Sequence, residues 1–161
     1  MKLSMFVLVI MCLLPLTACD FSDRSLPRDF YSMQKDPPGE PVGTMWLGMT
    51  RDEQSAATGV FSDASEVRVR YVDNAFASMT SVTFYIHPIG VTWDMAPDQI
   101  KAHYTKDPEV TITEESNLLT ATKTIDDVTY YVRVVLYDDG VVKEINITND
   151  PTLDELRFTV R

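Results

Sequence analysis

Residues that build metal and redox sites are scarce in this chain. Of 161 residues, two are cysteine and two are histidine. Cys12 and Cys19 both lie near the start, so residues 20–161 can form no internal disulfide and must hold together by apolar burial. His87 and His103 fall in no His-x-x-x-His spacing. His87 is expected as a surface or cap residue at a strand end, and His103 as a helix-face residue. The six glycines are scattered singly, which argues against a phosphate-cradling loop, and no Gly-x-Ser-x-Gly elbow occurs. No cofactor or metal is expected. Basic residues are also few: 14 against 24 acidic, for a net charge of −10. That balance argues against a general nucleic-acid binder, which must neutralise phosphates, and against a direct grip on anionic lipid. It suits a soluble exported domain or one that meets a basic protein partner.

The apolar run at the start, from Leu3 to Leu16, is interrupted only by Ser4. It is short for a membrane span, which needs roughly 20 residues. With Lys2 before it and small residues after it, it reads as a secretory signal.

The sequence Leu16-Thr17-Ala18-Cys19 resembles the lipobox of bacterial lipoproteins. The resemblance implies cleavage after residue 18, a diacylglycerol on the Cys19 sulfur, and a mature chain of 143 residues. Loss of Lys2 takes the net charge from −10 to −11. Acyl chains anchor a soluble domain because each buried methylene contributes roughly 0.8 kcal/mol. Asp20 is similar to the inner-membrane retention signal of enterobacterial lipoproteins. The implied location is the periplasmic face of the inner membrane, with the outer membrane as the alternative.

Residues 19–43 read as a lipidated N-terminus and flexible tether, rich in Pro and charge, with Phe30 and Tyr31 able to dock back. Residues 44–161 read as one α+β domain. Thr50 and Glu53 form a capping box that opens a helix to about Thr58, closed by Gly59. Strands are expected at 66–72 and 81–87, with a turn at Asp73-Asn74. Pro97 opens a second helix carrying Ile100 and Tyr104 on one face, and Asp107-Pro108 ends it. Strands at 109–114, 118–125, 128–137 and 141–148 follow. Asp126-Asp127 and Asp138-Asp139-Gly140 make tight turns of hairpin type. The tail from Leu153 to Arg161 reads as a helical turn and an edge strand.

The two helix starts, Thr50 and Ala96, stand 46 positions apart, each followed by strands. This suggests two weak tandem units, neither burying its apolar face alone. The expected architecture is an antiparallel sheet with two short helices on one face. The stretch Leu47-Gly48-Met49-Thr50 is similar to small outer-membrane-assembly lipoproteins of SmpA type, and to the tandem-unit β-lactamase inhibitor fold. Neither resemblance assigns a functional residue.

The acidic pairs at 114–115, 126–127 and 138–139 are adjacent in sequence, which does not set carboxylates across a substrate, and none makes a calcium loop. Turn chemistry explains the last two pairs. The strand at 128–137 is more informative. Val128, Tyr130, Val132, Val134 and Leu136 form one apolar face, and Thr129, Tyr131, Arg133, Val135 and Tyr137 the other. Arg68 and Arg70 share the polar face of their strand, as does Tyr85 on its own. Tyr and Arg are over-represented in binding hot spots. The candidate protein-binding set is therefore Arg68, Arg70, Tyr85, Tyr131, Arg133 and Tyr137. Asp126, Asp127, Asp138 and Asp139 rim it and steer a basic partner.

No catalytic constellation is found, so the expected function is that of a binding protein and not an enzyme. Small acidic lipoproteins of this kind resemble the immunity proteins of type VI secretion, which block a secreted toxin such as a phospholipase by docking over its site. The alternative is an envelope assembly or scaffold lipoprotein.

Overall fold

The computed structural model describes residues 27–35, 43–53, 67–150 and 152. The signal segment, Cys19, Asp20, the expected helix end near Gly59 and the tail from Leu153 lie outside these residues. The fold is dominated by antiparallel sheet, an α+β architecture.

Among the described residues nine strands form two sheets, where one is expected from sequence. Strands β1 (Ser32–Lys35), β2 (Gly43–Trp46) and β5 (Ile86–Pro88) make a three-stranded sheet in the order β2-β1-β5. Six more are β3 (Val67–Val72), β4 (Ala75–Ser81), β6 (Thr111–Glu115), β7 (Leu118–Ile125), β8 (Val128–Leu136) and β9 (Val142–Thr148). They pair in the order β3-β4-β9-β8-β7-β6. Strands β7 to β9 form a meander, as the hairpin turns between them imply, and β6 extends it at the edge through another short turn. Asp73-Asn74 and Asp126-Asp127 all adopt positive φ, from 49 to 67°, as two-residue turns of type I′ require.

Within 19–43, Phe30 and Tyr31 dock on the domain, against Tyr104 and Tyr130. Residues Pro27–Tyr31 form a 3-10 helix and β1 follows at once, with Met33 fully buried at the centre of its sheet. The strand expected over 81–87 is displaced. The actual strand is β4, and the chain turns after Ser81, with Ile86 N–H donating to Thr83 O at 3.1 Å. His87 consequently lies in β5 and is buried, its Nδ1 3.0 Å from Pro88 O.

Helix α1 (Pro97–Tyr104) begins where Pro97 predicts. Gln99 Oε1 accepts the Ala96 N–H at 2.8 Å, and Ile100 and Tyr104 are buried. The Thr50–Glu53 exchange is also present: Thr50 N–H donates to Glu53 Oε2 at 2.8 Å, and Glu53 N–H to Thr50 Oγ1 at 3.3 Å. Residues 51–53 are helical.

One apolar core joins the layers. Met33, Met45 and Ile86 of the small sheet, Ile100 of α1, and Met79, Val132, Val134, Ile145 and Ile147 of the large sheet belong to a single cluster. Four methionines, Met33, Met45, Met49 and Met79, are nearly or fully buried there, where their unbranched chains fill irregular gaps. At one edge the layers join through backbone: Gly48 N–H donates to Phe76 O, and Phe76 N–H to Met49 O.

Candidate functional site

The register fixes which sequence-predicted residues meet. Directly opposed residues of an antiparallel pair share a face. One row across the sheet runs Tyr131, Thr148, Ser78, Arg70, and the next runs Arg133, Asn146, Thr80, Arg68. The outward face therefore does bring Arg68, Arg70, Tyr131 and Arg133 together. Arg68 is exposed and the other three are half-buried.

The centre of that face is closed, however. Ser78, Thr80, Asn146 and Thr148 are all buried. Asn146 Nδ2 donates to Thr80 Oγ1 at 2.9 Å and Ser78 Oγ at 3.0 Å, so these small polar side chains bond one another. Burial is tolerable because most of their hydrogen-bonding groups are matched. Asn146 Oδ1 has no partner.

Tyr85 does not belong to this face. It lies in the turn before β5, packs against the core cluster, and has Lys35 Nζ 5.7 Å from its ring centroid. Its expected position followed from the strand at 81–87, which is absent. The acidic pairs separate to opposite ends of the large sheet. Asp126-Asp127 joins β7 to β8 at the end that also carries Asp73-Asn74, whereas Asp138-Asp139 lies at the other end, between β8 and β9.

These ends differ in how the chain reaches them. Tyr31 stacks on Tyr130 near the Asp126-Asp127 end, so residues 27–31 enter there. We call this the proximal end. From it β1 runs to Lys35, paired with Ile86 towards the distal end. Helix α1 runs the other way. A Cβ built on Gly140 at the distal turn would lie 3.8 Å from Pro97 Cγ, and Phe30 packs edge-on against Tyr104 at the helix's last position.

Among the described residues, the distal end gathers most of the exposed large apolar side chains. Among the described residues the exposed large apolar side chains are Val72, Val82, Phe84, Val128, Tyr137 and Val141. Val82, Phe84, Tyr137 and Val141 are distal: Tyr137 N–H donates to Val141 O, and Val82 follows the Ser81–Ile145 pair. Phe84 is 70% exposed. Its alternation with Val82 and Ile86 is visible in sequence and predicts a half-buried strand, whereas residues 82–85 form a turn.

The Phe84 loop is held from beneath. Ser81 Oγ donates to Ile86 O at 2.9 Å and accepts Thr83 N–H at 3.3 Å. Trp93 Nε1 donates to the same Ile86 carbonyl at 2.8 Å. Tyr85 meets the Phe84 ring edge-on at 5.2 Å between centroids. At the turn between β8 and β9, Asn117 Nδ2 donates to Asp138 Oδ1 at 2.7 Å and Asp139 Oδ1 accepts Val141 N–H, so the acidic turn is also fixed. Nearby, Asp94 is held below the usual carboxylate range, chiefly by the hydroxyl of Thr92.

Among the described residues, no group of three or more His, Cys, Asp or Glu is placed to hold a metal ion, and no helix is long and apolar enough to cross a membrane. Comparison with protein families, with curated proteins and with solved structures finds no match.

Proposed function

We propose that this chain is an exported, lipid-anchored binding protein that inhibits a protein partner. In the preferred form it is an immunity protein that neutralises a type VI secreted toxin, such as a phospholipase, by steric blocking. Cys19 carries the lipid, Asp20 keeps the protein at the inner membrane, and the folded domain faces the periplasm. Carrying this reading is one observation: a fixed loop and an acidic turn present exposed apolar side chains at the end of the sheet remote from residues 27–31. A rigid surface with aromatic residues loses little entropy on docking. The tandem-unit form of the fold belongs to the same proposal. It is supported by one shared feature of the two helix starts: Glu53 and Gln99 each accept the backbone N–H three residues earlier, from Thr50 and Ala96.

The test is to delete the gene and compete the mutant against its parent, with secretion by the parent intact and then disabled. Death of the mutant only when the parent secretes is the expected result. Unchanged fitness with a leaking envelope overturns it in favour of an assembly lipoprotein.

A further inference from the structure

The sheet carries two rival docking surfaces, the arginine-bearing face and the distal end. We infer that the distal end is the docking surface, that Phe84 is its anchor, and that the partner is a protein offering an apolar pocket rimmed by lysine or arginine. The inference rests on the binding-protein reading and names the chemistry of the partner.

Exposure and support make the first argument. An aromatic ring 70% in solvent, touching the fold through the edge of Tyr85, contributes little to stability, yet its loop is tied by Ser81 Oγ and Trp93 Nε1 to a single carbonyl, Ile86 O. Val82, Tyr137 and Val141 lie at the same end and extend the apolar area. Aromatic anchors that enter a pocket as rigid units dominate interface energies. The arginine-bearing face offers no such opening, because Asn146, Thr80 and Ser78 at its centre are buried.

Charge selects the occupant. Asp138, Asp139 and Glu115 stand at this end, and no described cation forms an ion pair with them; Lys143 lies over the ring of Tyr137 at 5.6 Å. Such a rim repels an anionic lipid surface. It also repels a second copy docking the same face, which would bring Asp138 and Asp139 of both chains together. A basic rim around an apolar pocket matches both features. Chain direction agrees, since residues 27–31 join the fold at the proximal end, opposite the distal surface.

The experiment places the photo-cross-linker p-benzoylphenylalanine at 84 and, separately, at 126 in full-length anchored protein in cells meeting secreting neighbours. The adducts are identified by mass spectrometry. The captured protein is then titrated with wild type, Phe84→Ser, Asp138→Asn/Asp139→Asn and Asp126→Asn/Asp127→Asn at low and high salt. Expected are an adduct at 84 and none at 126, and a loss of at least about 100-fold in affinity for Phe84→Ser with unchanged melting temperature. The distal double variant is expected to lose about 5- to 10-fold, mostly in association rate and mostly at low salt, and the proximal pair nothing. An adduct only at 126, adducts to phospholipid or to a second copy, no adduct at 84, or a Phe84→Ser variant within about 3-fold of wild type each overturns the inference. A deletion that proves neutral in competition while the adduct at 84 persists overturns the inhibitor reading alone.

Discussion

Tyr31 and Tyr130 stack with ring centroids 4.2 Å apart and planes 13° from parallel. The contact ties the first described residues to the meander and sets the polarity of the molecule, with chain entry at one end and exposed aromatics at the other. It also makes residues 27–35 part of the fold. Met33→Ala should therefore cost about 2–4 kcal/mol, as for other fully buried methionines. Urea denaturation checks this, and a loss under about 0.5 kcal/mol would return the segment to a tether.

Gly90 has φ +79°, and a Cβ built there would lie 2.3 Å from His103 Cε1. Gly90→Ala thus meets backbone strain and a clash together, for an expected loss of about 2–3 kcal/mol. Adding His103→Ala should recover the clash but not the strain, leaving roughly 1 kcal/mol. A double-mutant cycle with no coupling between the two positions would contradict the close approach.

Asp127 sits at φ 64° in the β7–β8 turn. Replacement by Gly should be neutral or slightly stabilising, and replacement by Val should cost about 1–2 kcal/mol. Equal stabilities in chemical denaturation would rule out a turn role.

Lys123 Nζ bridges Asp107 and Glu109, and its side chain is only 12% exposed. The bond from Lys123 holds the Asp107 carboxyl below its ordinary range. A carboxyl with a folded pKa below its unfolded one stabilises above the unfolded value, and that contribution is lost as pH falls through the folded value. The pair should contribute about 0.5–1 kcal/mol at neutral pH, after allowance for the solvent exposure of Asp107. Lys123→Met should flatten the fall in stability below about pH 4. An unchanged acid limb in the variant would show that the pair is inert.

The meander, the helix at Pro97 and both acidic hairpin turns were legible in sequence, because alternation and turn chemistry act over neighbouring residues. Strand β4 was not. Its sequence Ala-Phe-Ala-Ser-Met-Thr-Ser has small residues where a strand usually shows branched ones, and the clearer alternation of Val82, Phe84 and Ile86 drew the strand past the turn. Strand β1 was hidden among charges and nearby prolines. The faces of β8 can be read from its alternation, which sets Tyr131 and Arg133 on one side. What sequence could not supply was the long-range register. The length of β8 alone sets Asp126-Asp127 and Asp138-Asp139 at opposite ends, whereas the register of β4 on β9 is what brings Val82, next to Ser81, to the distal end.

Complementation of the deletion mutant tests the central claim most directly. Anchored wild type, Phe84→Ser and Asp126→Asn/Asp127→Asn would each be expressed at equal level and competed against a secreting parent. Wild type and the proximal double variant should restore survival, and Phe84→Ser should not. Full protection by Phe84→Ser, together with loss of protection in the proximal variant, would contradict docking through the distal end.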